Sequence, residues 1–390
     1  MKCMQHFLCL SFIAMCLAGC AAITGVGHDN APPPTKLVSI KAPAFSPAVV
    51  WSKETGVGSE DAHLQLTPAL ADKHIFTVDV KGQVCSYNLD SGNASWCQTT
   101  KSAATTGLAV QAGVVTFGTK QGQVYALNQQ NGRTLWTSMV PNQLLASPTL
   151  AQQRVYLKTV DGEVVALSAC NGKQIWRYDH ATPVYVLRDM SRPVVMGDRL
   201  IVGFSDGKLA AFRLDNGELL WEKTIATPGG RGLMDQLVDI SADPVLDQGT
   251  LYVVTFQGNL AALNRVTGET RWEKPLSSYT GMVTTPRAVV VTDAEGMVWA
   301  FDKTDGHVLW CQGGLKYRDV TAPALQTCEF IVVADKKGYV HWLSTRNGEW
   351  MARIKVADEV ISAAPLVLHN DVYVMTQKGK LFYIQTIKAS

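Results

Sequence analysis

The sequence predicts an all-β chain, an eight-bladed β-propeller of four-stranded antiparallel blades whose last blade is closed by an N-terminal strand. Three observations predict it. Two glycines ten residues apart, with a tryptophan four residues further on, recur at constant spacing: Gly82, Gly92, Trp96; Gly122, Gly132, Trp136; Gly162, Gly172, Trp176; Gly207, Gly217, Trp221; Gly258, Gly268, Trp272; Gly296, Gly306, Trp310. A seventh copy keeps Gly338 and Gly348 but carries Ala352 in the tryptophan position, and an eighth opens at Gly379, so the units number eight. Between the glycines, and again before the first of them, stand runs of β-branched, aromatic and aliphatic residues such as Leu260 to Leu263, which are strand signals. Each unit is about 40 residues long, and repeats of that length and content mark a propeller.

Within a unit the first glycine sits in a tight turn, often after aspartate as in Asp161-Gly162, and the second follows Asn, Asp, Thr or Ser. Both places suit a backbone with positive φ, which glycine adopts without steric cost. The repeated tryptophan, able to bury roughly 150–250 Å², is expected to wedge between neighbouring sheets. The pattern resembles the quinoprotein-type repeat, Ala-Leu-Asn/Asp-x-x-x-Gly-x-x-x-Trp, over nearly the whole mature chain. That resemblance speaks for fold and leaves the chemistry open.

At the amino terminus, Met1-Lys2 precedes an apolar run from Phe7 to Leu17, and Leu17-Ala18-Gly19-Cys20 ends it with small residues before a cysteine. This reads as a secretory signal peptide over 1–19; the apolar run is shorter than the ~20 residues a spanning helix needs. The four residues ending at Cys20 are similar to the bacterial lipoprotein box, which implies acylation of Cys20. Several acyl chains anchor stably where one does not. Ala21, in place of an aspartate, implies the outer membrane by the same resemblance. Residues 20–47, with Pro32-Pro33-Pro34, are too polar and proline-rich to bury a core and read as a lipidated tether.

The propeller is assigned to residues 48–390. Val49-Val50-Trp51 reads as the last strand of a unit whose beginning is missing, while the stretch after Gly379 reads as a third strand with too few residues behind it to reach a tryptophan. Pairing the two completes the eighth blade and removes edges that invite aggregation. Although 390 residues would ordinarily suggest two or three domains, a ring of repeats has one circular core.

A proline stands fourteen residues before the first glycine in five units, at Pro68, Pro148, Pro193, Pro244 and Pro365. The connector from tryptophan to the next proline varies: twelve residues from Trp136, seventeen from Trp51 and Trp176, twenty-three from Trp221. Insertions in repeat arrays collect on one face, commonly the binding face. The two lengthened neighbouring junctions, after Trp176 and Trp221, are therefore the candidate site.

Other chemistry finds little support. Charged residues make up 17% and the net charge is +2, without the basic footprint that nucleic acid requires. No two of the eight histidines stand at a metal-binding spacing, so no metal and no cofactor is expected. Ser205-Asp-Gly-Lys208 matches a Ser-x-x-Lys motif in form, yet it occupies the turn that Thr159 to Gly162 fills in the preceding unit. Gly56-Val-Gly58 and Gly229 to Gly232 read as loop glycines. Five cysteines remain beyond Cys20: Cys85, Cys97, Cys170, Cys311 and Cys328. Cys85 and Cys97 lie on successive strands of one hairpin, but the turn register decides whether they face each other; buried free thiols are the default expectation.

Quinone-dependent dehydrogenases share the repeat. The resemblance implies that such an enzyme would stack its cofactor on a tryptophan beside a calcium, with an aspartate base and often a bridge between adjacent cysteines. No Cys-Cys pair occurs here and the repeat tryptophans are accounted for by blade packing, so the chain is expected not to be an enzyme. A quinoprotein-like dehydrogenase or a periplasmic small-ligand sensor is the alternative.

From about Val49 to Ile387 the chain resembles the BamB family, the lipoprotein subunits of the outer-membrane β-barrel assembly (BAM) machine. Trp51-Ser52, Leu66 to Asp72 and Gly338 to Trp342 carry the likeness. It implies a non-enzymatic scaffold on the periplasmic face of the outer membrane, binding the POTRA region of the insertase BamA and assisting delivery of unfolded outer-membrane proteins. The family's partner-binding Pro-x-Leu-x-Leu-Arg segment is matched by Pro183, Leu187 and Arg188, with Tyr185 in place of the first leucine. Its Asp-x-Leu-x-Asp-x-Asp segment is matched by Asp235, Leu237 and Asp239, with Ser241 in place of the last aspartate. The implied partner-binding set is therefore Tyr185, Leu187, Arg188, Asp235, Asp239 and Ser241.

Overall fold

The computed structural model describes residues 32–60, 64–181, 191–229 and 237–388. Cys20, Tyr185, Leu187, Arg188 and Asp235 lie outside that set. Among the described residues thirty-two strands form eight antiparallel sheets of four, each built from consecutive strands except the last. The first blade shows the pattern, running from the innermost strand Ala69–Ala71 through His74–Val78 and Gln83–Asn88 to the outermost Ala94–Thr99. The innermost strands of seven blades, with Ala322 and Pro323 just before that of blade 7, line a central channel of about 1000 Å³.

The eighth blade closes as expected. The strand Phe45–Glu54 pairs antiparallel with Lys380–Lys388, in the register Phe45 to Lys388 and Glu54 to Lys380. It begins three residues earlier than the sequence suggests, and residues 34–44 before it are also placed against blade 7.

The core is a ring of clusters between blades. Ile75, Cys85 and Tyr87 of blade 1, for example, pack with Tyr373, Met375, Leu381 and Tyr383 of blade 8. The tryptophans sit where the spacing places them. Trp96 donates its indole N–H to Gln129 O at 2.9 Å, and a Cβ added at Gly132 would lie 2.5 Å from the same ring. The second glycine thus does two things, giving a positive φ of 71° and leaving room for the preceding blade's tryptophan. Trp51 closes the ring in the same way, bonding to Leu89 O at 3.0 Å and resting on Gly92.

Ala352 departs from the series at the junction of blades 7 and 8, and the topology explains it. Blade 8 takes its fourth strand from the N-terminal side, so it has no turn glycine to receive a tryptophan. Phe45 fills the junction instead, its ring meeting Trp342 at 5.8 Å and Phe330 at 5.0 Å. A second departure is the turn of blade 5, where Gln257 and not Gly258 takes the positive φ, at 52°. Gly258 is kept small by crowding, since a Cβ there would lie 2.4 Å from Ala226 Cβ.

The expectation of buried free cysteines is corrected. A register shift after Ser86 sets Cys85 opposite Cys97, and the two form a disulfide. The remaining thiols, Cys170, Cys311 and Cys328, are free and exposed. Among the described residues no helix is long and apolar enough to cross a membrane.

Candidate partner-binding site

In every blade the chain alternates direction, so the blade-to-blade connectors and the turns between second and third strands share one face. Both lengthened connectors leave from it. Their described ends meet at a single turn of blade 4, from Gly203 to Lys208, which is the Ser205-Asp-Gly-Lys208 turn with the two residues before it. Phe204 N–H donates to Lys208 O at 2.9 Å and Gly207 N–H to Phe204 O at 3.3 Å, confirming a turn.

The upstream root of the first insert is His180. Its ring stacks on Phe204 with centroids 3.8 Å apart and its Nε2 lies 3.0 Å from Asp206 Oδ2. Burial acts to raise the Asp206 carboxyl, but the hydrogen bond and charge of His180, together with Lys208, outweigh it and hold the group below its ordinary range. The downstream root is Ser191, whose hydroxyl accepts from Lys158 Nζ at 3.0 Å; the same ammonium donates to Gly203 O at 2.7 Å. Lys158 is 1% exposed, and a cation at that depth is held only where such acceptors replace water.

The second insert is rooted on the same turn. Ile225 N–H donates to Gly207 O at 2.9 Å on the way out, and Ile240 N–H to Phe204 O at 3.2 Å on the way back. The Ile240 side chain occupies the space over Gly203, where a Cβ would lie 2.4 Å from Ile240 Cγ2. The described ends of the two inserts therefore meet at one hub.

Of the residues the resemblance implies, Asp239 and Ser241 are described, and they lie at the root of the second insert. Asp239 is fully buried, and Phe256 N–H donates to its carbonyl at 2.8 Å. Ser241 Oγ donates to Asp239 Oδ2 at 2.7 Å, and Ser241 borders the channel. A serine at 241 thus bonds to the first carboxylate where a second aspartate would repel it. Asp239 is thus buried at the root of the second insert, where its carboxylate accepts from Ser241.

Sequence reasoning missed Lys158, His180 and Gly203. A signal for Lys158 and Gly203 was present: four residues before the first glycine the other units carry Val78, Gly118, Val254, Thr292, Ala334 and Met375. A lysine in that buried series is out of place unless something polar covers it.

A family profile described as outer membrane protein assembly factor BamB matches residues 98–312. The outer membrane protein assembly factor BamB of Legionella pneumophila is 42% identical over 357 residues, 91% of this chain and 92% of that protein. The Pseudomonas aeruginosa counterpart is 39% identical over 95% of this chain and 96% of its own length. The chain belongs to the BamB family. The crystal structure of BamB from Moraxella catarrhalis superposes with a TM-score of 0.79 at 26% identity, covering 87% of this chain and 99% of that one.

A quinohemoprotein alcohol dehydrogenase from Comamonas testosteroni also superposes, with a TM-score of 0.73 but 11% identity, a likeness of fold alone. The described channel residues do not fit that enzyme's type of cofactor. The aromatic ring lining the channel is Tyr279, with no tryptophan there to stack on. Of the lining carboxylates, Asp243 is bound to Arg192 at 2.6 Å and Asp319 to Lys336 at 2.7 Å. This propeller thus has its repeat indoles in the blade junctions and, among the described residues, its channel carboxylates paired with cations.

Proposed function

We propose that this BamB-family chain is a non-enzymatic, lipid-anchored scaffold of the outer-membrane β-barrel assembly machinery, held on the periplasmic face of the outer membrane through Cys20. In this reading the paired inserts of blades 3 to 5 bind the POTRA region of a BamA-like insertase, and the scaffold assists insertion of outer-membrane proteins. The observation that carries it is end-to-end likeness to assembly factors, 42% identity over 91% of the chain. The common root of the inserts supports the placement, since hot spots need a patch held rigid before binding.

Capture of the lipidated protein from envelope extract, followed by mass spectrometry, tests it. The expected result is co-purification of a BamA-like insertase, with Cys20→Ser releasing the protein from the membrane fraction. Recovery of the folded protein with no assembly-machine subunit would overturn the reading.

A further inference from the structure

The segment just before the closing strand is docked, and its course is specific. Thr35 N–H donates to Lys316 O at 3.0 Å and Arg318 Nη1 donates to Thr35 O at 3.2 Å. Lys316 and Arg318 belong to the connector from blade 6 to blade 7, on the face that bears the inserts. Leu37, like Trp350, packs against the buried cluster that includes Trp310 and Leu315. Further along, Arg353 Nη1 donates to Val38 O at 2.9 Å and Ala44 N–H to Met351 O at 2.8 Å. Phe45 then pairs with Lys388, at the end of the blade away from the connectors, and the closing strand runs back to Glu54 beside the Gly379 turn. Residues 34–44 thus descend the outer side of blade 7 from the connector face to the opposite face.

Both arginines are fixed from beneath by a buried relay. Arg318 Nε donates to Asp335 Oδ2 at 2.6 Å, His341 Nε2 lies 3.1 Å from the same oxygen, and Arg353 Nε donates to His341 Nδ1 at 3.0 Å. Since Nδ1 accepts, the proton of the neutral ring is on Nε2 and donates to Asp335. Asp335 and His341 are fully buried. The Arg353 guanidinium also covers the Trp350 ring at 4.8 Å and that of Arg318 the Tyr339 ring at 5.5 Å. Planar forks so held cannot swing away, which suits them to grip carbonyls of an extended chain.

We propose that residues 34–44 are a strap, clamped by Arg318 and Arg353, that makes the N-terminal chain leave the propeller from the insert-bearing face. With the strap released, the chain would leave from the opposite face at Phe45 and gain eleven residues of free length, about 40 Å when extended. The clamp therefore decides both the starting face and the reach of whatever precedes residue 34. Only its meaning for membrane attachment rests on the lipid-anchor reading above.

Hydrogen exchange on the mature protein tests the strap without reference to any partner or membrane. The amide of Thr35, which donates to Lys316 O, is expected to exchange at least about 100-fold more slowly than in an unstructured chain, and Arg318→Ala with Arg353→Ala to bring it within about threefold of that rate, with the blades still protected. Because that pair also strips partners from Asp335 and His341, Thr35→Pro serves as the second variant. It deletes the amide bonded to Lys316 and leaves the relay whole, and it should speed tryptic cleavage after Lys36 by about tenfold or more with the blades intact. An unstructured rate at Thr35 in the unaltered protein, or undiminished Thr35 protection in the arginine pair together with unchanged cleavage in Thr35→Pro, would overturn the strap.

Discussion

Phe45 meets Trp342 edge to face at 5.8 Å, at the junction of blades 7 and 8 where the tryptophan of the repeat is replaced by Ala352. The N-terminal strand therefore supplies both the fourth strand of blade 8 and the aromatic ring that the repeat omits. Closure of the circle and packing of its exceptional junction depend on the same ten-residue strand.

Phe45→Ala should accordingly destabilise the propeller by about 3 kcal/mol or more, the usual cost of deleting a buried phenylalanine. Ala352→Trp should not compensate, because no glycine faces it and overpacking costs about 1–3 kcal/mol. Denaturant melts of the two variants check this; an unchanged midpoint for Phe45→Ala would mean that the closing strand is held by its ladder alone. Deleting residues through Trp51 should go further and promote aggregation through two exposed edges.

Acid should loosen blade 7 first. Burial pushes His341 down to about 4 against the opposing pull of Asp335, with Arg353 and Arg318 also disfavouring a second positive charge nearby. A histidine depressed in the folded state is neutral there while the unfolded chain takes up a proton below its ordinary pKa. Stability is then full above pH 6.5 and falls progressively towards about pH 4, by an amount on the order of 3 kcal/mol. Hydrogen bonds from His341, Arg318 and Tyr339 N–H outweigh burial at Asp335 and keep it ionised, so its own loss comes below its ordinary range. His341→Gln should flatten the slope between pH 6.5 and 4; parallel stability curves for the two proteins would refute the assignment.

The disulfide ties neighbouring strands across a short loop, with a sequence separation of 12. By the loop-entropy argument its removal should cost about 2–3 kcal/mol, read as a lower melting temperature of Cys85→Ser with Cys97→Ser. The propeller should remain folded, because Cys85 sits in a junction cluster otherwise built from side chains of two blades. A variant as stable as the parent would show that the bridge adds nothing to what the strand pairing already imposes.

What the sequence revealed, and what it hid, divides along a physical line. The blade repeat was legible because each glycine and tryptophan answers a local need repeated around the ring, and the closing strand because two incomplete units needed each other. The pairing of Cys85 with Cys97 hung on a one-residue register shift after Ser86, which no spacing rule sets. The strap was hidden because its composition says only that residues 34–44 cannot form a core. Its acceptors Thr35 O and Val38 O are met by donors 283 and 315 residues away. At the site, the lengthened connectors could be read from counting and Lys158 from its place in a buried series, whereas the packing of His180 on Phe204 and Asp206 could not, since a turn looks the same whether or not anything rests on it.

That hub shapes the test of the proposed partner surface. Tyr and Arg are overrepresented among interface hot spots, and truncating such a residue commonly costs 2 kcal/mol or more. Leu187→Ala with Arg188→Ala should therefore weaken capture of the insertase by about tenfold or more, with the melting temperature held within about a degree or two because both positions fall in the lengthened connector, outside the glycine and tryptophan spacing of the blades. Gly203→Ala approaches the same surface from below. Its new Cβ would stand 2.4 Å from Ile240 Cγ2 and must displace that residue, disturbing the root of the second insert while leaving every proposed contact residue chemically unchanged. If the inserts act as one preorganised patch, this variant also loses capture, and it loses it without any change to the surface chemistry. Normal capture by the folded Leu187 and Arg188 double variant would remove the inserts from the interface and move the search to the channel or the connector between blades 8 and 1. Loss in the double variant with full capture by Gly203→Ala would keep the contact residues and dismiss the rigid hub.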